Sequence, residues 1–175
     1  AWSDTFAINT QAVIGVSALF LPLLEAANTR RGWAPGRVVG ATRTRTPSSA
    51  SDAADDRLAQ IITIASVASY MRWISAGLAY NASKSAAAHL AKMMATFLAE
   101  WGVRSNVVCP GPYPSEMTAT NAVEYRTDQI PQGRMGKVED VAGVMLFLVG
   151  RAGAYVNGNV VLTDGGRTGV HPAVY

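Results

Sequence analysis

Tyr80 and Lys84 stand four positions apart in the stretch AYNASKSAAAHLAKMM, residues 79–94. On a helix, that spacing puts a phenol and an ammonium one turn apart on a single face. A free phenol titrates near ~10 and is a poor base at neutral pH, and an ammonium beside it favours the phenolate. Such a pair can exchange a proton with the oxygen of a bound substrate. The plain alternative is a solvent-exposed helix that carries both side chains by chance. Ser66 closes a β-branched run ahead of this helix. In a parallel α/β sheet, ligands bind at the carboxyl ends of the strands. A serine there would meet a tyrosine at the mouth of the following helix. Alone, Ser66 reads as a strand-end turn residue; the tyrosine–lysine pair makes it a site candidate.

The elements that would hold these groups can be read from patterning. Ser3-Asp4 supply N-cap chemistry, and apolar residues at helical spacing follow, which predicts a helix from about Asp4 to Ala27. It should be bent or loosened near Pro22. Its apolar residues circle much of the axis, so burial on more than one side is expected. Residues 28–58 carry clustered arginines, then Ser and Ala, then Asp52, Asp55 and Asp56. They read as a long surface excursion without regular structure, and a solvated loop is a better reading of its basic part than an anion site. QIITIAS (60–66) predicts a buried strand, and a helix follows from about Tyr80 to Trp101, stopped by Gly102. VRSNVVCP is a second strand, closed by Pro110-Gly111. VEDVAGVMLFLVG is another helix with acids in its first turn. GNVVLTDGG is a third strand leading into a turn. Helices alternating with apolar strands imply an α/β layer around a parallel sheet. His89 reads as a packed or surface residue. Met93, Met94, Phe97 and Leu98 read as core, and Cys109 as a small buried filler.

The chain has 175 residues, 49% hydrophobic and 15% charged, enough for a single domain over 1–175 with a sizeable core. A net charge of +3 with scattered cations gives no reason to expect nucleic acid. One cysteine excludes an intrachain disulfide framework and favours a reducing, cytoplasmic setting. Two histidines and that cysteine match no metal-ligand spacing, so no metal is expected. VIGVSALFLPLLEAA is too short, and interrupted by Pro22, to be expected to cross a membrane.

Taken together, the pieces resemble the short-chain dehydrogenase/reductase family. ITIASVAS is similar to its serine-bearing strand end, YNASK to its Tyr-x-x-x-Lys motif, and NVVCPGPYPSEMT to its strand plus Pro-Gly segment. VNGNVVLTDGG is similar to its last strand and closing turn, and FAINTQAV to the helix bearing its active-site asparagine. AYNASK, YPSEMT and RAGAYVNGNVV look most like a fungal, carbonyl-reductase-like branch. The resemblance implies that Tyr80 is the general acid or base, that Lys84 supports it and holds the nicotinamide ribose, and that Ser66 orients the substrate oxygen. It implies that Asn9 fixes a water relaying protons to Lys84, although a mid-helix asparagine can equally bond a neighbouring backbone group. Pro110, Gly111, Tyr113 and Ser115 would line the nicotinamide side. A small carbonyl or alcohol would be the substrate, and family dimers imply a homodimer or homotetramer.

One departure from the family is as informative as the matches. Members begin with a strand, a Gly-rich turn and a helix that bind the cofactor pyrophosphate. No such turn precedes Asn9. The expected fold is therefore the C-terminal portion of a doubly wound, Rossmann-like parallel sheet, about three strands with flanking helices. The strand carrying the ribose selector is absent too, so NADP and NAD stand equally. QIITIAS would then be a bare edge unless covered by a preceding segment, a second copy or the 28–58 excursion. Three functions follow. The first is a nicotinamide-dependent oxidoreductase, with the N-terminal part supplied. The second is a shortened relative without cofactor, running a cyclisation, dehydration or isomerisation. The third is a non-catalytic subunit or scaffold.

Overall fold

The computed structural model describes residues 2–49, 53–116, 118 and 124–174. Three strands, β1 (Ala59–Ile64), β2 (Val103–Pro110) and β3 (Val160–Thr163), form a parallel sheet in the order β1-β2-β3. The register pairs Ala59 with Val103 and Val107 with Val160. β2, the middle strand, is buried from Val103 to Cys109, its polar residues Arg104, Ser105 and Asn106 included. The helices are α1 (Trp2–Phe6), α2 (Ala12–Arg30), α3 (Leu78–Phe97), α4 (Val138–Val149) and the short α5 (Arg167–Val170). The α/β architecture of the sequence reading holds.

α3 lies against the sheet on a face of small residues. Ser83, Ala87, Ala88, Ala91 and Ala95 are all buried, and lacking long side chains they let the helix approach the strands closely. Met94, Leu98, Val103, Val107 and Cys109 fill the core around them, with Val13, Leu21 and Leu24 of α2 packed alongside. Gly102 ends the helical segment in the left-handed region at φ 68°, the conformation that glycine adopts without a Cβ penalty. Towards the strands' amino ends, two polar side chains of β2 are bonded to neighbouring segments. Asn106 donates to the Val156 carbonyl at 2.9 Å and accepts from the Asn159 N–H at 3.0 Å, while Arg104 donates to the Gly153 and Val156 carbonyls. These bonds tie the 153–159 link to β2 and so set where β3 begins.

Several expectations are corrected. The first helical stretch is loosened at a π-helical turn, Ala7–Gln11, and not at Pro22, which sits inside α2 at an exposed position. Only one side of it is buried: Ile8, Val16, Leu19, Phe20 and Leu23 are exposed, Leu19 at 79%. Met94 and Leu98 are core, but Met93 and Phe97 of α3 are half exposed. Trp2–Arg30 does reach the length and apolarity of a membrane span. The sequence reading underestimated it by weighing only the shorter stretch VIGVSALFLPLLEAA and taking Pro22 as an interruption. In this fold it is a layer of the sheet, bonded to α3 and β1 through Thr10 and Asn28.

The 28–58 excursion has little regular structure, with one antiparallel bridge between Trp33 and Arg45; Asp52 lies outside the described residues. Among the described residues it adds no strand beside β1. Arg37 pairs with Glu100 at 2.6 Å, and Arg43 donates to the Glu100 carbonyl at 2.5 Å. Those partners precede β2, so the excursion straps the amino ends of the strands. The Arg57 guanidinium beside Asp55, with Arg31 nearby, holds the Asp55 carboxyl well below the usual carboxylate range. Among the described residues no strand pairs with the outer edge of β1.

Candidate active site

At the carboxyl ends of the strands, Ser66 sits two residues beyond β1. It caps a short 3-10 turn, Val67–Ser69, its hydroxyl oxygen accepting the Ala68 N–H at 3.1 Å. That bond uses an oxygen lone pair and leaves the Ser66 hydroxyl proton available. Tyr80 is the third residue of α3, half-buried, and among the described residues its phenol oxygen bonds no protein group. Ser66 and Tyr80 line one cavity of about 280 Å³, closed on the other side by Gly111, Tyr113 and Ser115. Two hydroxyls from different elements thus face a common space large enough for a small molecule.

Lys84 follows Tyr80 by one turn. Its ammonium lies 5.8 Å from the Tyr80 ring centroid and donates to the Ile64 carbonyl at 3.1 Å, at the end of β1. One bond of three is used there, so two N–H donors remain. Burial lowers the Lys84 pKa from its ordinary value. Cys109 lies behind it, and burial pushes that thiol up to about 11, which keeps it neutral at physiological pH.

Asn9 sits in the π turn, beside Tyr80 in a second, open cleft. Its amide donates to the Ser83 hydroxyl at 3.1 Å, and that hydroxyl donates to the Tyr80 carbonyl at 2.9 Å. Thr10 donates to the Ser83 carbonyl at 3.0 Å. The π turn is therefore clasped to the stretch that carries Tyr80 and Lys84, and fully buried Ser83 is the link. Sequence reasoning named Asn9 and missed Ser83; a small polar residue inside a Tyr-x-x-x-Lys spacing was the available signal.

Of the remaining candidates, Pro110 ends β2 and pairs with Thr163 of β3. Gly111 follows with no room for a side chain, since a Cβ there would meet Asp164 Cα at 2.8 Å. Ser115 is exposed and tied to its own loop, its N–H donating to the Thr118 hydroxyl at 2.9 Å. The cavity also recruits two residues with no counterpart in the sequence reading, Tyr125 and Arg167. Arg167 arrives there because the chain end turns back: Met71 bridges Ala173, Arg72 N–H bonds the Pro172 carbonyl, and Val174 N–H bonds the Tyr70 carbonyl. Among the described residues, no cluster of ligating side chains suits a metal.

Comparison with known proteins identifies the family and the fold. A family profile described as enoyl-(acyl carrier protein) reductase matches residues 44–168. The chain is 36% identical to the short-chain dehydrogenase/reductase PhomF' of Diaporthe leptostromiformis, over 99% of this chain and 55% of that protein. It is 37% identical to the short-chain dehydrogenase/reductase SAT3 of Stachybotrys chartarum, over 99% of this chain and 64% of that protein. A solved Pseudomonas aeruginosa RhlG/NADP active-site complex superposes with a TM-score of 0.73 at 29% identity, covering 94% of this chain and 58% of that one. The chain belongs to the short-chain dehydrogenase/reductase family. It spans 55 to 64% of the length of these two relatives.

Proposed function

We propose that the chain carries the oxygen-activating half of an oxidoreductase site that interconverts a carbonyl and an alcohol. What carries the reading is the shared cavity: Ser66 and Tyr80 face it together, with the Lys84 ammonium against the Tyr80 ring. Ser66 Oγ donates its free proton to the substrate oxygen and holds it against Tyr80 Oη. In the reducing direction, Tyr80 Oη delivers a proton to that oxygen; in the oxidising direction it takes one up. The charge this leaves on the phenolate faces Lys84 across a partly desolvated gap, where an ammonium stabilises it more than water-exposed charge could. Asn9 acts through Ser83 by holding the Tyr80–Lys84 turn. Assistance of this kind is worth roughly two to four orders of magnitude in rate.

The residues present fit the nicotinamide-ribose half of NADP or NAD. Lys84 keeps two donors beyond its bond to Ile64, and the wall from Pro110 and Gly111 through Tyr113 to Ser115 offers backbone groups beside Tyr80. No Gly-rich strand–turn–helix for a pyrophosphate occurs in this sequence. When bound, a nicotinamide supplies or accepts the hydride. The relative solved with NADP supports such a cofactor. The same reading places a second copy of the chain over the exposed apolar helix faces, as a homodimer or homotetramer.

Calorimetric titration with reduced nicotinamide mononucleotide, NADPH and NADH tests the cofactor reading. Saturable 1:1 binding that Lys84→Met weakens supports it. No binding of any of the three, with a turnover that still depends on Tyr80, would replace hydride transfer by a cofactor-free cyclisation, dehydration or isomerisation.

A further inference from the structure

Arg167 is the one lysine, arginine, aspartate or glutamate side chain on the wall of the Ser66–Tyr80 cavity among the described residues. Its guanidinium stacks 5.9 Å from the ring centroid of Tyr125, which lines the same cavity. Five other arginines have carboxylate partners: Arg31 and Arg57 on Asp55, Arg37 on Glu100, Arg126 on Asp128 and Arg134 on Asp140. No such partner occurs for Arg167 among the described residues. The nearest acid in sequence, Asp164, is spent on its own turn, accepting from the Gly166 N–H, the Thr168 N–H and the Thr168 hydroxyl. The Tyr125 ring holds the guanidinium, while the Arg167 backbone is fixed by its bonds to Asp164 and His171 and by the tail beyond it, which pairs with the 70–72 segment. A cation fixed beside a reactive pocket, without a counter-ion, leaves its five donors for a ligand.

Resting on the carbonyl–alcohol reading above, we propose that Arg167 is a specificity-determining residue that selects an oxo acid, a small carbonyl compound carrying a carboxylate. The carboxylate accepts paired hydrogen bonds from the guanidinium, and the carbonyl oxygen reaches Ser66 and Tyr80. Arg–carboxylate pairs of this kind combine charge with a fixed planar geometry. A cavity of about 280 Å³ has room for a molecule of a few carbons.

The test measures binding, so it does not depend on turnover. Pyruvate, acetoacetate and levulinate are each titrated against their methyl esters, which keep the ketone and remove the charge. The three acids differ in the reach between carbonyl and carboxylate. At least one acid is expected to bind roughly tenfold or more tightly than its ester. Arg167→Gln should abolish that preference while leaving ester affinity and the melting temperature unchanged, and Arg167→Lys should restore part of it. No acid preferred over its ester, or a preference that survives in Arg167→Gln, overturns the proposal. Tyr80→Phe separates it from the underlying reading: the acid preference should persist there, while any carbonyl turnover is lost.

Discussion

Lys84 is the residue whose setting is least like that of a surface helix. Its ammonium rests between the Tyr80 ring and the Ile64 carbonyl, in surroundings that lower its pKa by burial. Charging it therefore opposes folding. Stability contributed by its neutral form grows as pH rises through the lowered folded-state value towards the ordinary ~10.4 of an unfolded lysine. Melting curves between neutral pH and about 10 should show this alkaline gain in the native chain and its loss in Lys84→Met; parallel curves would contradict it. Tyr80, Lys84 and Ser66 were legible in the sequence because one helical turn and one strand end fix where they meet. Arg167 was not, since its place depends on a tail, residues 172–174, doubling back onto residues 70–72, and no local pattern encodes that return.

At the scale of elements, two joints set the site. The first is the π turn at Ala7–Gln11, clasped to α3 through Ser83. Ser83→Ala removes a hydroxyl bonded on both sides and strands the Asn9 amide. It should cost about 1–2 kcal/mol, a fall in melting temperature of about 2–8 °C, with kcat reduced and ligand affinity little changed. The second is the close approach of Gly136 to Tyr113, where a Cβ would lie 2.3 Å from the ring. Gly136→Ala should destabilise by about 1–3 kcal/mol and loosen ligand binding, and a Tyr113→Ala background should absorb most of both effects. A double-mutant cycle on melting temperature and affinity checks this. Strand and helix positions were readable to within a few residues from apolar runs and from Gly102 as a stop. The π turn was not, because the bonds that clasp it run to Ser83, far off in sequence, whereas Pro22 offered a local and misleading reason for a bend.

The whole molecule leaves two kinds of surface open. Among the described residues β1 has an unpaired outer edge, and apolar side chains at Val16, Leu19, Phe20 and Leu23 of α2 and at Met93 and Phe97 of α3 are exposed. Such surfaces mark association sites. Sedimentation should find the chain as a dimer or larger, and Leu19→Glu combined with Phe97→Glu should shift it towards monomer without lowering its melting temperature. A stable native monomer would contradict the expectation. Sequence reading expected this edge to be paired or covered, by a preceding segment, a second copy or the 28–58 excursion; among the described residues the excursion adds no strand to it. Its arginines find their partners at the opposite end of the strands, in carbonyls and acids far off in sequence.

The central claim is that the Tyr80 hydroxyl transfers the proton to and from the substrate oxygen. Single-turnover reduction of an oxo acid with a reduced nicotinamide, comparing the native protein with Tyr80→Phe, tests it most directly. The account predicts a loss in rate of roughly two to four orders of magnitude with melting temperature and ligand affinity preserved. A Tyr80→Phe protein that turns over within a few fold of the native rate would contradict it.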